Sequence, residues 1–199
     1  DALAEARQLF AALDAPIELH VLERLTADVY LALNLLPEAA AAYRAAIAGL
    51  EASEMAYHLA WALWGLGATA LRLQRLAEAE DLLRRAAGLF AAAENDHLRS
   101  AVMLEQAALA DAQGDRLAAV ELTRQALAVI GQQDWPVQRA YAHMRLADLL
   151  MPDAEAAEPL LREAQHWAGM VPLPQLRLQV QQRLGRLYWQ QGSDAEAEA

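Results

Sequence analysis

Apolar residues recur along this chain at helical spacing, and the clearest case lies within residues 55–93. The first apolar stripe there has the i, i+3, i+4, i+7 spacing of an amphipathic helix and comprises Leu63, Leu66, Gly67 and Ala70. A second stripe with helical spacing comprises Leu76, Ala79, Leu83 and Ala86. The polar pair Gln74-Arg75 separates the two stripes. The pattern therefore predicts two antiparallel helices joined by a short turn.

Small residues repeat this unit along the chain. One row has spacings of 40, 40, 40 and 38 residues and comprises Ala27, Gly67, Ala107, Ala147 and Gly185. A second row has spacings of 40, 40, 38 and 40 residues and comprises Ala39, Ala79, Ala119, Ala157 and Ala197. A fixed period of roughly 20–50 residues indicates stacked supersecondary units, and small side chains let the axes of paired helices approach closely.

The register predicts a single repeat domain over residues 1–199. Its expected parts are helix pairs at residues 17–51, 53–93, 96–131 and 135–169, flanked by half-repeats at residues 1–14 and 173–199. Ser53 and Asp134 are expected to cap helix N-termini, and residues 193–196 carry a capping-box pattern. Because the first residue is Asp1 rather than Met, we expect the chain to be a piece of a longer protein.

The end of the chain resembles the tetratricopeptide repeat (TPR). The residues that carry the resemblance are Leu184, Gly185, Tyr188, Gly192 and Ala197. They match the family's Leu-Gly pair, the aromatic residue three positions later, the turn glycine and the alanine that opens the second helix. The resemblance covers nearly the whole chain and implies an all-α, right-handed superhelical solenoid of antiparallel helix pairs. The period exceeds the family's usual length of about 34 residues, and we expect longer helices to absorb the difference.

The resemblance also implies a binding groove, because in this family the first helix of each repeat lines the concave face. The groove positions stand three before, one after, and four or five after the small residue. In this chain they include Arg24, Asp28, Trp64, Leu71, Arg72, Leu104, Asp111, Met144, Asp148, Arg186 and Trp189. Trp and Arg dominate binding energy at interfaces, so Trp64 with Arg72 is the anchor hypothesis. The competing interpretation is that Trp61 and Trp64 only fill space between long helices.

Composition changes this picture mainly by exclusion. The net charge is −11, and an acidic chain repels a phosphate backbone, so we expect no nucleic-acid partner. All 16 basic residues are arginine, which excludes Schiff-base chemistry and a Walker lysine within this segment. Cysteine is absent, which excludes a disulfide framework and a thiolate metal site here and is compatible with the cytoplasmic location that we expect.

Two motifs near the centre are better explained by helix packing. Residues 65–70 match the dinucleotide fingerprint with a final alanine, but that fingerprint needs a preceding strand, and here it lies within a helical stripe. Residues 55–71 form a run of 17 without Asp, Glu, Arg or Lys, near the lower limit of about 17 for a membrane span. Since these residues also fit the repeat register, we expect a central repeat helix and no membrane insertion.

Catalytic and metal sites are not expected either. The five histidines include no pair at the i, i+4 spacing of a helical metal site. Paired carboxylates such as Glu78 and Glu80 are expected on helix surfaces, whereas acid–base chemistry needs a cleft that shifts a pKa. We therefore expect no enzyme activity, no cofactor and no metal in this segment.

The sequence predicts a non-catalytic scaffold that binds a protein or peptide, or another domain of the same chain. We expect it to be the repeat region of a larger bacterial regulatory or signalling protein. Two alternatives stay open. One is a small-molecule or peptide sensor domain of a transcription activator, with a closed pocket near Trp64, Tyr141 and Met144. The other is self-association through the hydrophobic half-repeats at the open ends.

Overall fold

The computed structural model describes residues 2–13, 15–131 and 133–192. Within these ranges the secondary structure consists of α-helices without a strand. In chain order the helices are α1 (Ala2–Ala12), α2 (Pro16–Ala32), α3 (Leu36–Ala52), α4 (Ala56–Arg72), α5 (Leu76–Ala92), α6 (Asp96–Ala112), α7 (Arg116–Ile130), α8 (Pro136–Leu150), α9 (Ala154–Gly169) and α10 (Pro174–Gln191). The all-α helical-repeat fold expected from the sequence is confirmed.

Helices α2 to α6 are equal in length and regularly spaced along the chain. Each has 17 residues, and short turns separate them. The turn residues with positive φ are Asn34, Glu54, Gln74, Glu94 and Gly114, spaced 20 apart. After the first of them the N–H of Leu35 donates to the Tyr30 carbonyl at 2.9 Å, the bond of a Schellman ending, and the same bond closes α4, α5 and α6. The extra length of the repeat therefore lies in the helices.

The helices group into two compact units, Asp1–Asn95 and Asp96–Ala199. In the first unit α2 pairs with α3 and α4 with α5, while α4 also packs on α2 and α3. In the second unit α6 pairs with α7 and α8 with α9, while α8 packs on α6 and α7, and α10 packs on α8 and α9. Each unit is thus built from consecutive helix pairs, as the register predicts.

Two glycines let α4 approach its neighbours. A Cβ on Gly65 would lie 2.2 Å from the Tyr43 ring of α3, and one on Gly67 would lie 2.8 Å from Leu83 of α5. Within the described residues, the alanines of the small-residue rows are 0% exposed, namely Ala27, Ala39, Ala79, Ala107, Ala119, Ala147 and Ala157. Residues 65–70 lie inside α4, so the glycine pattern serves close packing rather than a phosphate loop. No helix in the described ranges is both long and apolar enough to cross a membrane.

Arginines link neighbouring helix pairs of the first unit. Arg44 of α3 donates to Glu78 of α5 at 2.5 Å, and Arg85 of α5 donates to Glu51 of α3, also at 2.5 Å. These side chains remain between 32% and 48% exposed. Each ion pair therefore contributes only about 0–1 kcal/mol to the free energy of unfolding. The two pairs show how α3 and α5 are aligned but do little to stabilise that alignment.

This regular length and spacing ends at α7. This helix has 15 residues and stops at Gly131, whose φ of 51° suits a residue without a Cβ. The next helix, α8, begins at Pro136, where a missing N–H costs nothing. Helices α8, α9 and α10 share one hydrophobic core in which Leu161, Val180 and Leu187 are 0% exposed.

Two expected helix caps were wrong. Ser53 does not cap α4; it is the C-cap of α3, where its hydroxyl donates to the Gly49 carbonyl at 2.8 Å because the chain has not yet left the preceding helix. Asp134 does not cap α8, since Trp135 occupies the N-cap position and makes no side-chain cap bond. The capping-box pattern at residues 193–196 lies outside the described residues.

Replacing Gly65 with alanine should lower the free energy of unfolding by roughly 1–3 kcal/mol, because the added Cβ would overlap the Tyr43 ring. The matched control is Gly88→Ala in α5, where a Cβ meets no atom within 4 Å. Helix propensity should make that variant more stable by about 0.5–1 kcal/mol. Urea unfolding followed by circular dichroism measures both. A Gly65→Ala protein stabilised as much as the control would contradict the close approach of α3 and α4.

Candidate functional site

Aromatic side chains of α4 form a cluster over Phe90 of α5. Tyr57, Trp61 and Trp64 stand about one helical turn apart, and the two tryptophan rings are 4.9 Å apart between centroids. Phe90 is 0% exposed and meets the other three rings edge-on, at 6.3–6.5 Å. Tyr57 is 48% exposed, and both tryptophans are partly exposed. A buried ring thus supports an accessible aromatic surface, which we call the tryptophan face.

A polar network from α2 and α3 borders the tryptophan face. Arg24 donates to Asp28 Oδ2 at 2.5 Å, and the Tyr43 hydroxyl donates to Asp28 Oδ1 at 2.6 Å. The Arg24 guanidinium also lies 5.8 Å from the centre of the Trp61 ring, within cation–π range. Burial, together with the hydrogen bond to Asp28, raises the pKa of the Tyr43 phenol well above its ordinary value, so the hydroxyl remains a donor. Both oxygens of Asp28 are therefore engaged within the protein.

Arg72, expected beside Trp64 in the groove, donates to the preceding helix pair. Its guanidinium reaches the Leu31 carbonyl at 3.3 Å and Asn34 Oδ1 at 2.7 Å. The Leu31 carbonyl also accepts from the N–H of Asn34 at 3.1 Å, so Arg72 adds a second hydrogen bond there and ties the turn between α2 and α3 to α4. Leu71, the neighbouring groove candidate, is partly exposed. A ligand at Arg72 would compete with these two hydrogen bonds, and the anchor role of this residue stays a prediction.

Two predicted groove residues of the second unit are engaged by α10. Met144 is 2% exposed and belongs to the core that α8 shares with α9 and α10. Asp148 accepts hydrogen bonds from the Nε of Arg183 at 2.9 and 3.0 Å. These contacts arise because the next helix of the repeat covers this part of α8.

The other groove candidates of the second unit are more accessible. Leu104 of α6 is partly buried, and Asp111 near the end of the same helix is exposed. Arg186 and Trp189 of α10 are exposed, and 74% of Trp189 is accessible. A binding role for these four residues stays a prediction.

A second cation–aromatic contact lies between α8 and α9. The Arg139 guanidinium lies 4.4 Å from the centre of the Trp167 ring and also donates to the Gly131 carbonyl. His143, about one turn further along α8, is partly buried. Burial lowers the pKa of its imidazole; the Glu163 carboxylate opposes this effect, and the Arg139 cation adds to it.

A cleft of about 770 Å³ lies between α1, α2 and α3. Its α3 side is lined by Glu38 and by alanines at positions 41, 42 and 45. Ala45 stands one period before Arg85, which bridges to Glu51 across the equivalent space between α3 and α5. The cleft thus occurs where a small side chain replaces a partner in an interhelix ion pair.

The accessible groups at these positions are aromatic rings, aliphatic side chains, guanidinium groups and the Asp111 carboxylate. Such side chains suit recognition of another polypeptide. In the described part of the chain, no three His, Asp or Glu side chains come together in a way that could hold a metal ion.

Solved structures provide a comparison for this arrangement. BtubC (BKLC) from P. vanneervenii is similar over 98% of this chain and 82% of its own, with a TM-score of 0.73 and 18% identity. A candidate kinesin light chain from Podosopora anserina, with nearly identical TPR-like repeats, is similar over 92% of this chain and 91% of its own, with a TM-score of 0.66 and 21% identity. The chain has a TPR-like repeat fold. A second crystal structure of the Podosopora anserina protein supports the same TPR-like fold, with a TM-score of 0.67 and 22% identity.

At these identities the likeness concerns the TPR-like fold alone. No protein-family model matches the chain, and no curated protein matches it. The function of these TPR-like repeats must therefore be argued from the surfaces of the chain itself.

The sequence pattern did not predict the contacts that hold Arg24 and Asp28 beside the tryptophan face. It placed Arg24 and Asp28 on the groove side, but it did not connect them with Tyr43 or Trp61. The sequence contains an indication of the position of each of these two aromatic residues. Tyr43 occupies the aromatic slot of the second helix, one repeat before Leu83, and Trp61 lies three residues before Trp64, on the same side of the helix.

The depressed pKa of His143 predicts a loss of stability in acid. The neutral imidazole is favoured in the folded state, so the associated stability is present above the unfolded-state pKa of about 6.5 and is lost as the pH falls below it. Urea midpoints compared at neutral pH and about pH 5 measure this loss, and His143→Gln should reduce it. The control is His166→Gln, which makes the same substitution at an exposed position of α9. If the His143→Gln protein loses as much stability between neutral pH and about pH 5 as the wild type, the His143 imidazole is not the cause of the loss.

Proposed function

We propose that this segment is a non-catalytic scaffold that binds a protein or peptide, as the repeat region of a larger bacterial regulatory protein. The TPR-like fold supports the scaffold role, because such repeats commonly serve protein interactions. The observation that carries the proposal is the accessible tryptophan pair of α4. Large aromatic rings next to an arginine have the composition of interface hot spots. The partner is another protein, a peptide, or another domain of the same chain.

The anchor of the proposed site is the pair Trp61 and Trp64, rather than Trp64 with Arg72. Phe90 supports both rings from below, and Arg24 borders Trp61. Rings that are already held in place lose little conformational entropy when a partner packs on them. The hydrogen bonds of Arg72 to the turn after α2 favour a positioning role for that residue.

The proposed partner contributes apolar side chains to the tryptophan face. Asp28 and Arg24 already pair with each other, so they offer little charge to a ligand. Beyond the tryptophans, the same side of α4 continues with Ala68 and Leu71, which are partly exposed. A partner segment with large aliphatic or aromatic residues would remove this apolar surface from water, and that removal drives binding.

Peptides selected from a displayed library on the purified chain provide the probe for this site. Ala68→Arg places a long charged side chain one helical turn after Trp64, next to the tryptophan face, without removing a core side chain. It should weaken binding of a selected peptide at least tenfold, which corresponds to about 1.4 kcal/mol or more. Trp64→Ala should also weaken binding of the peptide, because it removes one of the two tryptophan rings. Isothermal titration calorimetry measures both affinities.

The matched control is Ala128→Arg, which adds the same side chain at an exposed position of α7 in the second unit. It should leave the affinity unchanged, and thermal melting of each variant separates lost binding from lost folding. If Ala68→Arg melts like the wild type and keeps full affinity, the tryptophan face is not the binding site.

A further inference from the structure

The tryptophan face presents three aromatic rings along one side of α4. Tyr57, Trp61 and Trp64 follow one another at intervals of four and three residues, so they lie on the same side of the helix. At a rise of about 1.5 Å per residue, Trp64 stands about 10.5 Å further along the helix axis than Tyr57. The buried ring of Phe90 supports both, at 6.4 Å from the Tyr57 ring and 6.5 Å from the Trp64 ring. A partner therefore meets two outer rings about 10 Å apart along α4.

The same face offers mainly hydrogen-bond donors. Within the described residues, the indole N–H groups of Trp61 and Trp64 and the hydroxyl of Tyr57 donate to no other group. The carboxylate of Asp28, which borders the face, already accepts from two other side chains of the first unit. An N–H that is buried without an acceptor destabilises a complex. A segment that covers these rings must therefore bring acceptors of its own.

A segment in the polyproline II conformation matches both features. This conformation has three residues per turn and rises about 3.1 Å per residue, so residues three positions apart lie on one edge about 9.3 Å apart. Its carbonyls make no internal hydrogen bond, and proline itself has no N–H. Prolines three positions apart can therefore stack on Tyr57 and Trp64 while the carbonyls between them accept from the indole N–H groups.

Two other kinds of occupant match fewer of these features. A helix of a partner also places side chains seven residues apart over Tyr57 and Trp64, but its carbonyls are already paired within the helix. It would cover the indole N–H groups without supplying an acceptor. A cationic side chain is disfavoured because the Arg24 guanidinium already lies 5.8 Å from the centre of the Trp61 ring. The donor groups and the ring spacing together favour an extended, proline-rich segment.

We infer that the tryptophan face binds a proline-rich segment of a partner protein in the polyproline II conformation, with prolines three residues apart. This inference rests on the proposed function, because it names the kind of partner that the same site takes. The segment lies along α4, with one proline ring on Tyr57 and the next on Trp64. Because such a segment is already extended before it binds, it loses little conformational entropy in the complex.

A short, blocked and fluorescently labelled peptide with proline at every third position and alanine between is the first probe. The control peptide has the same composition with its prolines at alternate positions, so that only one of them at a time can stack on a ring. Fluorescence anisotropy should give a submillimolar Kd for the probe and an affinity roughly fivefold or more weaker for the control. Equal affinities, or a probe that does not bind at millimolar concentration, would overturn the inference.

Trp64→Phe tests the hydrogen bonds to the carbonyls of the segment. It keeps a ring on the face and removes the indole N–H, so the affinity for the probe should fall about twofold to tenfold, as expected for one hydrogen bond. Trp189→Phe makes the same substitution at an exposed tryptophan of α10 and should leave the affinity unchanged. Circular dichroism melts show that both variants fold. A Trp64→Phe chain that folds and keeps full affinity would contradict the inference.

Peptides selected from a displayed library distinguish failure of this inference from failure of the proposed function. The selected sequences should contain prolines three residues apart, and Ala68→Arg should weaken their binding. Selected peptides that lack such prolines and still lose affinity for the Ala68→Arg chain would overturn the polyproline assignment and leave the proposed function standing. Selected peptides that bind a folded Ala68→Arg chain as tightly as the wild type would overturn both.

Discussion

Helices in this chain approach one another closely where a glycine or alanine of one helix faces a bulky side chain of another. At Gly67 the facing side chain is Leu83, and at Gly65 it is the ring of Tyr43. Because a small residue recurs every 38–40 positions, the same approach is available to each helix pair. Helices of 17 residues and short turns keep these positions in step through α6. A bulky residue at one of them would separate the helices and uncover the core on both sides.

This register also determines which surfaces remain for function. On α4, Gly65 faces α3 and Gly67 faces α5, and the remaining side of the helix is partly accessible. That side carries Trp61 and Trp64, whereas the nearby polar groups Arg24, Asp28 and Arg72 are engaged by other groups of the first unit. The aromatic rings are therefore available to a partner in a way that the charges are not.

The fold could be predicted from the sequence because spacing alone distinguishes the buried stripe from the exposed one. The partners of long side chains were harder to predict. Arg72 extends across to the turn after α2, and counting positions on one helix does not reveal such a reach. Met144 occupies a groove position by count, but α10 packs over it, and that depends on how the two helices meet. Whether Ser53 caps the start of α4 or the end of α3 depends on where α3 ends, and the spacing of apolar residues did not reveal that position.

The most direct test is to replace two alanines of α5 with leucine, one at a time. Ala79 belongs to the small-residue row and is 0% exposed, whereas Ala77, two positions earlier, is exposed. Ala79→Leu should lower the free energy of unfolding, measured in urea, by roughly 1–3 kcal/mol or more, because the close approach of the helices leaves no space for the added atoms. Ala77→Leu should change it by no more than about 0.5 kcal/mol. An Ala79→Leu chain as stable as the wild type would contradict the claim that small residues in this register hold the helix pairs together.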